Sequence, residues 1–226
     1  MTEALSALRI AFAPGVTVGK WTRRWQERHP ELPLDVFPAE EDDGVAVLAD
    51  GRATLSFVRL PIERDGLSVI RLYGEIAVLV VPRDSELAEL ESVAEARVAE
   101  LADVASYSPA RSVRDAVALV AAGVGFLRLP HSLARLFARK DVVAVPIEGA
   151  AETDIAICWR QDETTELVEE FVGIVRGRTE ASSRANPTPP TPKVRGQKAP
   201  KKRSPKSAGR SAPKRPGGKT KKRGSR

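Results

Sequence analysis

The stretch EIAVLVVP, residues 75–82, limits the fold more than any other part of the chain. Its six consecutive apolar residues, 76–81, are about the length of one strand. An unbroken apolar strand has to be covered on both faces, so it belongs inside a sheet with structure above and below it. The same run is far too short to cross a bilayer, which takes about 20 residues as a helix.

The flanking sequence supplies the layers. LRIAFAPG, residues 8–15, alternates and stops at Pro14-Gly15, as a strand ending in a turn does. Thr17 is placed to cap residues 18–29, in which Val18, Trp21, Trp25 and His29 recur every three or four positions. Arg23, Arg24 and Glu27 fall on the wet side of that amphipathic helix. LDVF is a second strand, DDGVAVLADG a short helix stopped by Gly51, and ATLSFV a third strand. The β-α-β-α-β order predicts a parallel sheet with crossover helices. LSVIRLY and EIAVLVVP follow as two further strands, and residues 85–103 are helical in period. VASYSP predicts a short strand, and Ser112 a cap on a helix over residues 113–122 that Gly123 ends. A strand in GFLRLP, a helix over residues 130–138, strands in VVAVPI and DIAICW, and a helix from Asp162 to Arg178 complete an α/β body.

At Ala181 the chain changes character. The whole sequence holds 36 Lys and Arg against 30 Asp and Glu; sixteen of the basic residues and no acidic one lie from Ala181 on, leaving 20 against 30 in residues 1–180. A body near −10 is therefore joined to a tail near +16. The tail has eight of the 17 prolines and no aromatic residue, and its apolar side chains are five alanines and Val194. Burial on that scale does not offset the entropy of ordering, so residues 179–226 are expected to be disordered. The body uses 18 Arg and only Lys20 and Lys140, whereas the tail has nine Lys and seven Arg. Lysine is a mobile point charge suited to non-specific phosphate contact, and the Lys/Pro/Ala/Gly mixture resembles the tails of linker-histone-like proteins. Lys198, Lys201, Lys202, Arg203, Lys206, Arg210, Lys214, Arg215, Lys219, Lys221, Lys222 and Arg223 are the candidate nucleic-acid contacts. Without a base-stacking aromatic, such a segment supplies affinity, not sequence reading; DNA is the expected partner, with RNA left open.

Taken in order, LRIAFAPG, RHPELPLDV, LADGRATLSFVRLP, LYGEIAVLVVP and LVAAGVGFLRLPHSLARL resemble the substrate-binding (effector) domain of LysR-type transcriptional regulators. The resemblance runs over about residues 8–178 and is nearer still to a stand-alone form of that domain with a Lys/Pro-rich C-terminus. It implies the two-lobe fold of type 2 periplasmic binding proteins, with lobe I at about 8–81 and 147–178 and lobe II at about 82–146. A small effector would sit between the lobes. Two departures stand out. The effector-like sequence begins within ten residues of Met1, so the helix-turn-helix reader of these regulators is expected to be absent. A helix and a strand are missing around residues 104–111, so lobe II is expected to be shortened.

The resemblance implies a cleft lined by Val16 and Thr17 at the start of the first helix, and by Arg59 and Leu60 after the third strand. From lobe II it implies Tyr107, Ser108, Gly123 and Gly125. A carboxylate effector suits a helix N-terminus; on the plainer reading Thr17 is a cap and Arg59 a surface charge. Trp21 and Trp25 either fill the core under the sheet or contribute to a homodimer face, as this helix does in the family. His29 and His131 are far apart and each beside a proline, Cys158 lies in an apolar strand, and Gly123-Val124-Gly125 lacks the third glycine and the following helix of a phosphate loop. No catalytic constellation, cofactor motif or metal-ligand spacing is present, so an enzyme is not expected. One cysteine and no secretory signal fit a soluble, cytoplasmic protein, nucleoid-associated if the tail holds DNA. Three functions remain open: a regulator-like module with a nucleic-acid-binding tail, an adaptor on which the tail is only a tether, and a small-carboxylate sensor.

Overall fold

The computed structural model describes residues 7–101 and 112–177. The expected strand in VASYSP, the candidates Tyr107 and Ser108, and the basic tail lie outside them. Two sheets carry the fold. The first has the order β2-β1-β3-β9-β4, from β1 (Leu8–Phe12), β2 (Leu34–Pro38), β3 (Leu55–Arg59), β4 (Leu67–Glu75) and β9 (Thr153–Arg160). The second has the order β6-β8-β5-β7, from β5 (Ala77–Pro82), β6 (Val93–Ala94), β7 (Leu127–Pro130) and β8 (Val142–Glu148). The chain crosses between sheets at Ile76 and again between Glu148 and Thr153.

The opening β-α-β-α-β unit is parallel as expected, with Leu8 opposite Leu34 and Ile10 opposite Leu55. Helix α1 (Gly19–Arg28) and the short α2 (Ala46–Ala49) make the crossovers. β9 then runs antiparallel to both β3 and β4. Its side chains divide by the period of two: Ile155, Ile157 and Trp159 join one core cluster, Ala156 and Cys158 the other. β5 divides in the same way, with Val78 and Val80 on one face and Ala77, Leu79 and Val81 on the opposite one. It is covered on both faces, but in the second sheet, between β8 and β7, where the sequence reading put it in lobe I. An unbroken apolar run shows that a strand is doubly buried; it does not show which sheet receives it. The lobe boundaries therefore move to Ile76 and to the turn after Glu148.

Three local expectations are corrected. The helix predicted over residues 85–103 is a 3-10 turn (Glu86–Glu89), the strand β6 and a single turn of helix, α3 (Glu95–Val98). Pairing of Val93 with Ile147 and burial of Leu87 on the second sheet override the helical period. Thr17 does not cap α1: the N-cap is Val18, without a side-chain hydrogen bond. The last helix starts at Glu166, not Asp162, because Thr165 Oγ1 accepts from Val168 N–H at 3.3 Å, while Asp162 stands in a 3-10 turn and pairs with Arg160. That helix, α6 (Glu166–Val175), packs on α1.

Ser112 caps α4 (Val113–Ala121) as expected, accepting from Asp115 N–H at 3.2 Å. Gly123, at φ +77°, then closes it: Val124 N–H bonds the Leu119 carbonyl and Gly123 N–H the Val120 carbonyl. α5 (His131–Leu136) follows β7. Among the described residues no helix is long and apolar enough to cross a membrane.

Candidate functional site

The expected cleft lies where three segments meet: the β1–α1 loop, the ends of β3 and β4, and the first turn of α5. The loop is placed by its own sequence. Ala13 N–H bonds the Phe57 carbonyl at 2.8 Å, and Val16 and Val18 plug into the core, so Thr17 between them faces outward. Gly15 turns at φ +82° and lies hard against lobe II: a Cβ there would stand 2.9 Å from the Ser132 carbonyl carbon and oxygen. His131 N–H bonds the Ile76 carbonyl at 3.0 Å, which pins α5 to the crossing point.

Arg59 spans this junction. Its Nε donates to Glu75 Oε2 at 3.1 Å, and its Nη2 lies 2.7 Å from both the Pro14 carbonyl and Ser132 Oγ. The Arg59 and Glu75 side chains keep only 4% and 7% of their surface exposed. A buried guanidinium is tolerated when a carboxylate neutralises it and its other N–H groups find acceptors, as here. The plainer reading of Arg59 as a surface charge is thus corrected: it is buried, and its carboxylate partner is the protein's own Glu75. One hydrogen bond of the set, to Ser132, crosses from lobe I to lobe II, so the arginine acts as a tie between them.

Beside the tie is a cavity of about 370 Å³, lined by Gly15, Thr17, Tyr73, Gly74, Glu75, Ile76, His131, Ser132 and Arg135. Thr17, His131 and Arg135 are exposed at its mouth. Burial pushes the Tyr73 phenol above its usual range, with the Glu75 charge adding to the effect. No carboxylate stands within ion-pair distance of Arg135 among the described residues, so it is the cation this cavity can offer an anion. A second hollow of about 450 Å³ lies at the far end of β4, lined by Glu63, Asp65 and Asp162 among others; its Arg160 is already paired with Asp162 at 2.7 Å. Three carboxylates make it a poor seat for an acid.

The other candidates separate. Val16 is buried in the first core, and Leu60 packs against the second lobe I cluster, so neither lines the cavity. Gly123 and Gly125 lie in the turn between α4 and β7, where Gly123 serves as a helix stop; they are absent from the cavity wall. Trp21 and Trp25 are 5% and 0% exposed, Trp21 stacked on Phe57 at 5.0 Å and Trp25 edge-on to Phe171 at 5.7 Å. A dimer face made of these indoles is corrected, because their own core consumes them. Cys158 is wholly buried and its thiol is pushed up to about 12, so it is inert at neutral pH. Among the described residues no group of three His, Cys, Asp or Glu could hold a metal. Glu75, Ser132 and Arg135 escaped the sequence reading. The one available signal was Glu75 itself, a carboxylate directly before a doubly buried strand.

The LysR substrate binding domain pattern matches residues 3–118 and 109–180, two stretches that meet beside the part of lobe II expected to be short. Among solved structures, the effector binding domain of BenM with its effector benzoate is 20% identical, the match covering 75% of this chain and 90% of that one at a TM-score of 0.61. The reduced form of OxyR is 22% identical, with 76% and 94% covered and a TM-score of 0.61. CbnR, a LysR family transcriptional regulator, is 16% identical, with 75% and 68% covered and a TM-score of 0.59. At these identities the likeness is one of fold. No curated protein matches the sequence.

Proposed function

The chain belongs to the LysR substrate-binding-domain family, a family of transcription regulators, and from that premise we propose that it is a non-enzymatic, regulator-like binding protein whose tail contacts nucleic acid. The tail's partner is DNA, held without sequence preference. The observation that carries this reading is the charge partition: sixteen Lys and Arg and no Asp or Glu from Ala181 on, beside a body with 20 basic and 30 acidic residues. A net-negative body repels phosphates on average, which concentrates their attraction in the tail. Lysines bound to phosphates release counterions without reading bases.

The test is a binding series on mixed-sequence duplex DNA and on RNA, with and without residues 181–226. If six to ten phosphates are neutralised, affinity falls by roughly 10³–10⁵ between 50 and 200 mM salt. Binding that survives loss of the tail overturns the reading.

A second reading, small-carboxylate sensing, is favoured by the Thr17 hydroxyl and the uncompensated Arg135 at the mouth of the interlobe cavity. The closed Arg59–Glu75 pair weighs against it, since that buried cation already has its carboxylate. Thermal-shift screening with small aliphatic and aromatic carboxylates decides it, and a uniformly flat screen removes it.

A further inference from the structure

We infer that Arg59, Glu75 and Ser132 form a built-in latch between the lobes. Glu75 supplies Arg59 with the acid that an outside ligand would otherwise bring, and the hydrogen bond to Ser132 then fixes the angle at which the lobes stand. The inference does not depend on the nucleic-acid reading above.

The hydrophobic cores do not set that angle. The two buried clusters on the five-stranded sheet take their side chains from lobe I, and the two on the four-stranded sheet take theirs from lobe II. The surface ion pairs of Arg52, Arg71, Arg128, Arg139 and Arg160 also stay within one lobe each. The chain joins the lobes twice, at Ile76 and over residues 149–152, and two such crossings make a hinge. What holds a hinge at one angle is contact across the junction, and here that contact is polar.

The latch sits where it has most leverage. Glu75 ends β4 directly before the crossing at Ile76. Arg59 ends β3, in register with Ile155 of β9, so its guanidinium is presented from a rigid sheet. The two N–H groups of Nη2 are matched by the Pro14 carbonyl and Ser132 Oγ, both at 2.7 Å. One side chain thus engages the hinge residue, the β1–α1 loop and the first turn of α5. Gly15 presses on Ser132 closely enough that no side chain fits between the lobes at that point. A Cβ on Gly74 would likewise run into the Glu152 carboxylate, so the two crossings lie against each other beside the latch.

The chemistry makes the closed arrangement independent of an added acid. A hydrogen bond donated by a cation is stronger than one from a neutral donor, and a buried cation needs a neutralising carboxylate. Glu75 provides that carboxylate from 16 positions along the same chain, with its side chain 7% exposed. A free carboxylate would have to displace one that is covalently attached and therefore present at a far higher effective concentration.

The experiment reads the distance between the lobes in the full chain by spin labels on R64C and S92C, one exposed position in each lobe. Cys158 is buried with its thiol unreactive at neutral pH, so it takes no label. Labelled chain is diluted in unlabelled chain, so that only distances within one molecule are read. The parent should give one narrow distance that acetate leaves unchanged. S132A and E75A should each broaden it and move its mean by more than about 2 Å, with circular dichroism unaltered. E75A removes the atoms of an acetate ion, so acetate should return E75A, but not S132A, to the parent distance, and chloride at equal ionic strength should not. Narrow parent-like distances in both variants overturn the inference, as does a parent distance that moves with acetate. An E75A distance that acetate fails to restore, or that chloride restores equally, overturns the role given to Glu75. If E75A does not fold, the S132A distance decides alone.

Discussion

The two sheets are covered by different kinds of side chain. Around the five-stranded sheet, Trp21, Trp25, Phe57, Trp159 and Phe171 are buried, four of them linked ring to ring in the order Trp21, Phe57, Phe171, Trp25. Around the four-stranded sheet every buried apolar side chain among the described residues is aliphatic, and Phe126 and Phe137 are only partly covered. A few large rings concentrate stability in lobe I, so single losses there are costly. Lobe II spreads its stability over many valines, leucines and alanines. It is also joined to lobe I at Ser132, through an arginine that lobe I supplies.

The strongest way to break this comparison is Trp25→Ala. The fully buried indole should cost about 3–5 kcal/mol in urea unfolding; a cost no greater than for an aliphatic truncation in lobe II would undo the contrast. Next comes Glu75→Ala, which strands the buried Arg59 charge and should cost about 3 kcal/mol. The double variant R59M/E75L should recover most of that loss; if it does not, the pair is more than a satisfied charge. Leu79→Ala in lobe II should cost about 2–3 kcal/mol, because small neighbours can close in on the space. Its sharper readout is Cys158, whose thiol reacts only when the lobe I sheet opens. If lobe II opens alone, Leu79→Ala should raise proteolysis there and leave the thiol protected.

The smallest effect is an acid limb. The Arg139 hydrogen bond holds the exposed Asp141 carboxyl at about 2, below its ordinary value. A depressed folded value means the contribution is complete above the unfolded pKa and is lost as pH falls through about 2. Asp141→Asn should flatten that limb slightly in an acid titration followed by circular dichroism, the small loss of stability being already present at neutral pH.

Legibility followed range along the chain. β1, β2 and β3 could be read because alternation and turn residues are local, and the Ser112 cap and Gly123 stop of α4 because each acts within a few residues. The helical period over residues 85–103 misled because Val93 pairs with Ile147, 54 positions away, and a strand contact at that distance leaves no local mark. The candidate site was half legible. Thr17 and Arg59 do meet at the lobe junction, since strand ends and turns point there. The use made of Arg59 was not visible, nor was the burial of Val16 and Leu60 in the lobe I clusters.

From its amino acids alone this chain is an α/β body of net negative charge, with one doubly buried strand and a basic segment without acids. Those properties depend on period and composition, which are local or additive. Tertiary structure alone decided which sheet takes β5 and whether Arg59 is a free anchor or a tie. Arg59 reaches Glu75 across 16 positions and Ser132 across 73. Partners that distant are chosen by where the chain crosses between sheets, and a crossing depends on the packing of both lobes at once.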